Sequence, residues 1–214
     1  MTPGARRDQL VHTALELFAE QPPELVTPEQ VAQAADVSRA LFYRYFTGVH
    51  ELRVAALRTV VDEVKAAITP PPGGGLLDQV RYSLSAFLGS AQTYSRAYVA
   101  LLRTGSLLAT DETNELVDSV RQHVVRIVAD RLASVAPPEA PDSARWPAPM
   151  FELTLRSWFA VVEGASVAWL REGVPARGRL EDWLVDQLVA MVTTTARHDP
   201  ATATQLAAAL RIPT

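Results

Sequence analysis

The apolar positions recur almost everywhere at helical spacing, and no stretch alternates as a strand would. Leu10, Ala14, Leu17 and Phe18 give an i, i+4, i+7, i+8 stripe, predicting a helix from about Arg6 to Glu20. Met1–Ala5 reads as a loose arm ahead of it, from which Arg6 and Arg7 could reach phosphate or a minor groove. Pro22-Pro23 ends that helix. Thr27, Pro28 and Gln30 then form a capping box for a short helix that buries Val31 and either Ala34 or Ala35. Asp36-Val37 breaks it, and Ser38 caps the next. Val49–Ile68 reads as one longer rod with Leu52, Ala56, Val60 and Val64 on one side, and TPPPGGG at 69–75 stops it.

The remainder also reads as helix. Leu77, Val80, Leu84, Phe87, Leu88 and Ala91 mark Leu76–Thr93, and Tyr94–Leu108 holds short helices broken at Gly105. Leu116, Val120, Val124, Ile127, Val128 and Leu132 mark Glu112–Val135. Ala136–Pro149, with five prolines, reads as a loop. Met150–Arg171 and Arg179–Arg197 follow as helices, with a short last one after Asp199-Pro200. The expected fold is all-α. Residues 1–48 form an N-terminal three-helix, helix-turn-helix domain, and 49–214 a larger helical domain.

Composition narrows the function. The 214 residues contain no cysteine, which excludes disulfides and thiolate metal sites. MTPGARRDQL has no long apolar run, and nothing approaches a membrane span, so no membrane association is expected and the chain reads as cytoplasmic. The net charge is −4, and residues 1–53 hold five arginines against seven acids. Bulk charge therefore argues against a nucleic-acid partner, but placement does not: no acid lies between Asp36 and Glu51, an interval carrying Arg39, Arg44 and His50.

The geometry of the helix after Ser38 sharpens this. At about 100° per residue from Arg39, Phe42 and Phe46 fall near 300° and 340°, on one inward face. Ala40, Arg44 and Leu41 fall near 100°, 140° and 200° on the other, flanked by Tyr43 and Tyr45. Arginine can pair with guanine O6 and N7, tyrosine hydroxyls can bond phosphates, and Ala40 or Leu41 can touch a thymine methyl.

Residues 7–52 closely resemble the N-terminal domain of TetR-type transcriptional repressors. The resemblance is carried by Leu17-Phe18, Thr27, Val31-Ala32, Ala34-Ala35-Asp36-Val37-Ser38 and Leu41-Phe42-Tyr43-Arg44-Tyr45-Phe46. Two departures stand out. Gln21-Pro22-Pro23 replaces the glycine usual after the first helix. Val49 stands where a phosphate-contacting lysine is usual, and His50 or Arg53 could compensate.

The resemblance implies a ligand-responsive regulator, a repressor in most such proteins. It would bind a palindromic double-stranded DNA operator as a homodimer and be released by a small-molecule effector. On that reading Thr27, Ser38, Tyr43, Tyr45 and His50 hold the DNA backbone while Arg39, Ala40, Leu41 and Arg44 face bases. It also implies dimerisation through the helices near 150–171 and 179–197. The small residues Gly164, Ala165, Ser166 and Ala168 could let helices approach closely, with Leu180, Leu184, Leu188 and Met191 as a matching ridge. For an effector pocket the candidates are Tyr82, Phe87, Tyr94, Tyr98, His123, Phe151, Trp158 and Phe159, though such aromatic residues more often pack a core than wall a pocket, and a lone histidine is more often a satisfied or partly exposed residue.

No catalytic residue, metal site or cofactor is expected. Ser166 with His198, or Glu163 with Glu172, have no spacing that fixes a geometry, and the four histidines are scattered. Two rival readings remain: an all-helical small-molecule-binding protein or enzyme that has lost DNA binding, and a protein-interaction module using the Phe42–Phe46 face.

Overall fold

The computed structural model describes residues 2–102, 110–134 and 148–209. Those residues are helical with no strand. They form two compact units: Met1–Ala66 with Gly89–Asp118, and Ala67–Leu88 with Ser119–Thr214.

The first unit opens with α1 (Pro3–Glu20). The expected loose arm is instead helical from Pro3, because Thr2 Oγ1 accepts the Ala5 N–H at 3.3 Å and Pro3 needs no donor there. A short 3-10 turn, Pro23–Leu25, leads to α2 (Pro28–Ala34). The capping box is present as predicted: Gln30 N–H donates to Thr27 Oγ1 at 3.3 Å, and Thr27 N–H donates to Gln30 Oε1 at 2.9 Å. Asp36 makes the turn with φ 53°, a left-handed conformation that aspartate tolerates better than most side chains. Ser38 Oγ then accepts the Leu41 N–H at 3.1 Å and starts α3 (Arg39–Tyr43).

The fourth helix, α4 (Val49–Ile68), matches the predicted bounds. Leu10, Ala14, Phe18, Val31, Phe42 and Phe46 share one core with Leu52, Ala55 and Ala56 of α4. The start of α4 is therefore structurally part of the helix-turn-helix core. Gln9 Nε2 donates to the Ala35 carbonyl at 3.1 Å, tying α1 to the turn. Of the alternatives on α2, Ala35 is buried and Ala34 exposed. In the same unit α6 (Ser95–Leu102) lies against α1, and Tyr94 donates to Glu63 Oε2 at 2.6 Å. That carboxylate holds the Tyr94 proton, pushing its pKa up to about 12.

The second unit draws on α5 (Leu76–Thr93), α7 (Asp111–Ser134), α8 (Pro149–Glu172), α9 (Arg177–His198) and α10 (Pro200–Ala209). The bounds of α5 are those predicted. Pro149, expected in the preceding loop, is the first residue of α8, where a missing N–H costs nothing. The rest of that proline-rich segment, the break at Gly105 and Leu132's expected inward side chain lie outside what is described. Gly173, at φ 72°, ends α8 with its N–H on the Trp169 carbonyl at 2.8 Å.

Helices α8 and α9 pack along their length. Phe151, Leu155, Trp158 and Val162 face Leu180, Leu184 and Leu188, all buried. The Trp158 indole donates to the Leu184 carbonyl at 2.8 Å, and the Thr154 and Thr195 hydroxyls meet at 2.6 Å. Arg121 donates to both Glu163 oxygens, at 2.9 and 2.8 Å, fastening α7 to α8.

Candidate nucleic-acid interface

The interface is built on the two phenylalanines. Phe42 is 0% exposed and Phe46 1%, with ring centroids 5.8 Å apart. With that face turned inward, Arg39, Ala40, Tyr43 and Arg44 are exposed, Leu41 is half-buried, and Tyr45 packs against the core edge. Helix α3 is shorter than the helical spacing read from the sequence, which runs through Phe46. The register survives because Arg44 keeps a helical backbone (φ −74°, ψ −22°), so the angular advance continues past Tyr43.

Each polar group has a definite environment. Thr27 and Ser38 are exposed, and each hydroxyl accepts a backbone N–H through oxygen, which leaves its own proton for an acceptor such as phosphate. Arg39 Nε sits 2.9 Å from Glu29 Oε1, and its guanidinium carbon is 5.6 Å from the Tyr43 ring centre. Both partners favour its charge: a hydrogen bond with Tyr43 and, secondly, the Glu29 carboxylate raise its pKa. Arg7 stacks on the Phe46 ring at 4.8 Å.

His50 is exposed at the start of α4 and Val49 half-buried. Arg53, the other residue that could replace a lysine at 49, is turned inward. It donates to the Glu24 and Val26 carbonyls at 3.0 and 3.4 Å, and burial pulls its pKa down. Glu51 accepts the Thr47 N–H and hydroxyl at 2.8 and 2.9 Å. Those two bonds hold its carboxyl below the usual glutamate range.

The second unit contains a cleft of about 30 Å³ between α5, α7, α8 and α9. Its wall is Leu76, Gln79, Val80 and Ser83 of α5, Val124, Ile127 and Val128 of α7, Leu155 and Trp158 of α8, and Leu188 of α9. Among the described residues no charged side chain lines it. Of the eight sequence candidates only Trp158 does. Tyr82 is 47% exposed and, like Leu77, points outward, one helical step off the apolar stripe. Phe87 and Phe159 stack edge-on at 5.3 Å in the core, and Phe151 is buried there too. Tyr94 and Tyr98 belong to the other unit. His123 lies 2.9 Å from Thr69 Oγ1 and 2.7 Å from Arg126. Of the missed wall residues, Val80, Val124, Ile127 and Val128 are positions the periodicity had marked only as inward, whereas Gln79 and Ser83 carried no signal at all.

The ridge proposed for dimerisation is also corrected. Leu180, Leu184 and Leu188 are 4%, 0% and 6% exposed, because they pack on α8 of their own chain. The outward face of α8 instead carries Leu153, Ala160, Val161, Gly164 and Ala168, and that of α9 carries Trp183, Val189 and Ala190. Among the described residues no helix is long and apolar enough to cross a membrane.

Comparison with known proteins agrees with this arrangement. Residues 10–56 match the family described as bacterial regulatory proteins, tetR family, and residues 76–191 match the tetracyclin repressor-like C-terminal domain. A tetR-family transcriptional regulator from Streptomyces coelicolor, known from its crystal structure, is 30% identical. It superposes with a TM-score of 0.85 over 98% of this chain and 90% of that one. A putative TetR-family regulator from Rhodococcus sp. shares the fold at 20% identity and a TM-score of 0.63, over 89% of this chain and 98% of that one. The HTH-type transcriptional regulator TcmR of Streptomyces glaucescens is 37% identical over 68 residues, which span 32% of this chain and only 30% of that protein. With a DNA-binding head at residues 10–56 and a matching helical body, the chain belongs to the TetR family of transcriptional regulators.

Proposed function

We propose that this regulator is a repressor that binds a palindromic operator as a homodimer, each subunit laying Ser38–Tyr45 in a major groove. A small molecule entering the cleft of the second unit releases it. The observation that carries this reading is the complete burial of Phe42 and Phe46, which leaves Arg39, Ala40, Tyr43 and Arg44 outward on one short helix. Arg39, Ala40, Leu41 and Arg44 read bases. Thr27, Ser38, Tyr43, Tyr45 and His50 hold phosphates. Residues 1–48 act as the reading domain and 49–214 as the regulatory one; α4 opens the latter, and its first turns, through Leu52, Ala55 and Ala56, also complete the core of the reading domain.

The second copy docks on the outward faces of α8 and α9. On α8, Leu153, Ala160, Val161, Gly164 and Ala168 fall within about 100° of arc, a largely apolar stripe of mostly small residues that also holds Ser157. The effector is uncharged and mainly apolar, since among the described wall residues only Gln79 and Ser83, besides the Trp158 indole already bonded to the Leu184 carbonyl, bring polar groups. Both already bond backbone carbonyls, Gln79 that of Gly73 at 2.7 Å and Ser83 that of Ile68 at 2.6 Å. At about 30 Å³ the cleft holds little more than water. Effector binding therefore opens it, and that opening supplies the coupling to α4, about 1–3 kcal/mol in ordinary cases.

A salt titration tests the proposal. Few arginines face the duplex, and Val49 contributes no charge. The slope of log affinity against log salt should therefore be shallow but clear, roughly −4 to −5 for a dimer on duplex DNA. A slope near zero would leave α3 without a role on DNA.

A further inference from the structure

Glu29 is the second residue of α2, and Arg39 is the first of α3. Their side chains meet at 2.9 Å across the helix-turn-helix, 50% and 63% exposed. A pair so open to water adds little to stability. Its interest lies in where it puts a negative charge: at the rim of a face otherwise free of acids between Asp36 and Glu51. The guanidinium is held from its other side by the Tyr43 ring, 5.6 Å away. Arg44, exposed on the same helix, has no carboxylate paired with it among the described residues.

We propose that Glu29 is a specificity-determining residue for DNA binding, acting through Arg39. Two physical effects follow from its position. First, it fixes the orientation of Arg39 before the duplex arrives, so less side-chain freedom is lost when the arginine meets a base edge. Second, it repels phosphate from the place where Arg39 would otherwise clamp any DNA backbone. Non-specific binding is carried almost wholly by phosphate neutralisation, whereas specific binding also draws on base contacts. A carboxylate here therefore weakens binding to arbitrary sequence more than binding to the operator. Glu29 is a positioning residue and touches no base itself. The inference rests on the DNA-reading role proposed for α3.

The test uses two duplexes of equal length: one selected by the wild-type protein from a random-sequence library, and one of mixed sequence. Binding of full-length wild type, Glu29→Gln and Glu29→Asp is measured by fluorescence anisotropy across a salt series. Glu29→Gln should bind the mixed duplex about fivefold more tightly for each subunit engaged, the worth of one unit-charge contact in water. Its salt slope on that duplex should steepen by about 1.8 for the dimer, one added phosphate in each subunit at about 0.9 apiece. Affinity for the selected duplex should rise less or fall, and Glu29→Asp should keep most of the discrimination. Equal changes on both duplexes with parallel slopes, or no change on either, would overturn the proposal and leave Glu29 a helix-end charge. A thermal melt separates that structural role, since a lost favourable charge at the α2 N-terminus lowers the melting temperature without altering the ratio. Should the wild type enrich no duplex at all, the DNA-reading role of α3 fails, and this proposal with it.

Discussion

Replacing Phe42 by alanine tests the scaffold on which the reading face stands. Its side chain is fully buried, with the Tyr43 ring 5.3 Å away edge-on and the Phe46 ring 5.8 Å away. Truncating a buried phenylalanine costs about 3–5 kcal/mol in transfer and cavity terms, and the two ring contacts place Phe42 in the upper part of that range. Whole domains are stable by only about 5–15 kcal/mol, so the head should lose much of its margin. At about 2–4 °C per kcal/mol for a chain of this size, the melting temperature should fall by roughly 10 °C or more. Thermal denaturation followed by circular dichroism reads the loss, and duplex binding should weaken in step as folded head is lost. The neighbouring Tyr43→Ala is the control: at 44% exposed it should cost under about 1 kcal/mol of stability while still weakening DNA binding. If Phe42→Ala melted with the wild type, or Tyr43→Ala destabilised as strongly, the inward and outward faces would be assigned the wrong way round.

Arg39→Ala should lower affinity for a selected duplex about ten- to hundredfold and relax preference at one base pair of each half-site; a uniform loss over all sequences in a binding-site selection would put Arg39 on phosphate instead. Gly164 has no atom within 4 Å of where a Cβ would sit, so Gly164→Glu should fold normally as a subunit and yet sediment as a monomer with weakened duplex binding. A dimer that persists in analytical ultracentrifugation would move the interface elsewhere. Glu51 has its pKa depressed by bonds to Thr47, so its contribution is full above the ordinary glutamate value and disappears as pH falls through the lowered one. Glu51→Gln should therefore lower the melting temperature slightly at pH 7, and that deficit should shrink as pH falls below the ordinary glutamate range, which melts across a pH series will check.

What the sequence carried and what it did not follow from the range of the forces involved. The bounds of α4 and α5 were legible because a run of three prolines and three glycines separates them, and such residues act on their own backbone. The capping box at Thr27 and the cap at Ser38 are equally local. The division of this segment into a buried and an exposed face was legible too, because helical angle alone sends Phe42 and Phe46 one way and Arg44 the other. The cleft was not. Val124, Ile127 and Val128 have the same spacing whether they press on another side chain or border a void, and that difference is made by helices remote in sequence. Aromatic residues drew attention as pocket walls for their size, but size also suits them to fill a core, as Phe87 and Phe159 do.

The dimer ridge failed for a related reason. Helix α9 has one strong leucine stripe, and periodicity cannot say whether it meets its own α8 or a partner's. The buried Trp158–Leu184 bond decides for its own. On α8 both faces carry apolar residues, and the small ones divide between them: Gly164 and Ala168 lie outward, while Ser166 is fully buried. Charge divides in the same way. Counting arginines in residues 1–53 gave no hint that Arg53 would be drawn onto the Glu24 and Val26 carbonyls, or that Arg39 would meet Glu29. A net charge therefore misjudges such a head in both directions: it includes cations that never face a duplex, and it treats as mere opposition a carboxylate whose position directs the arginine beside it.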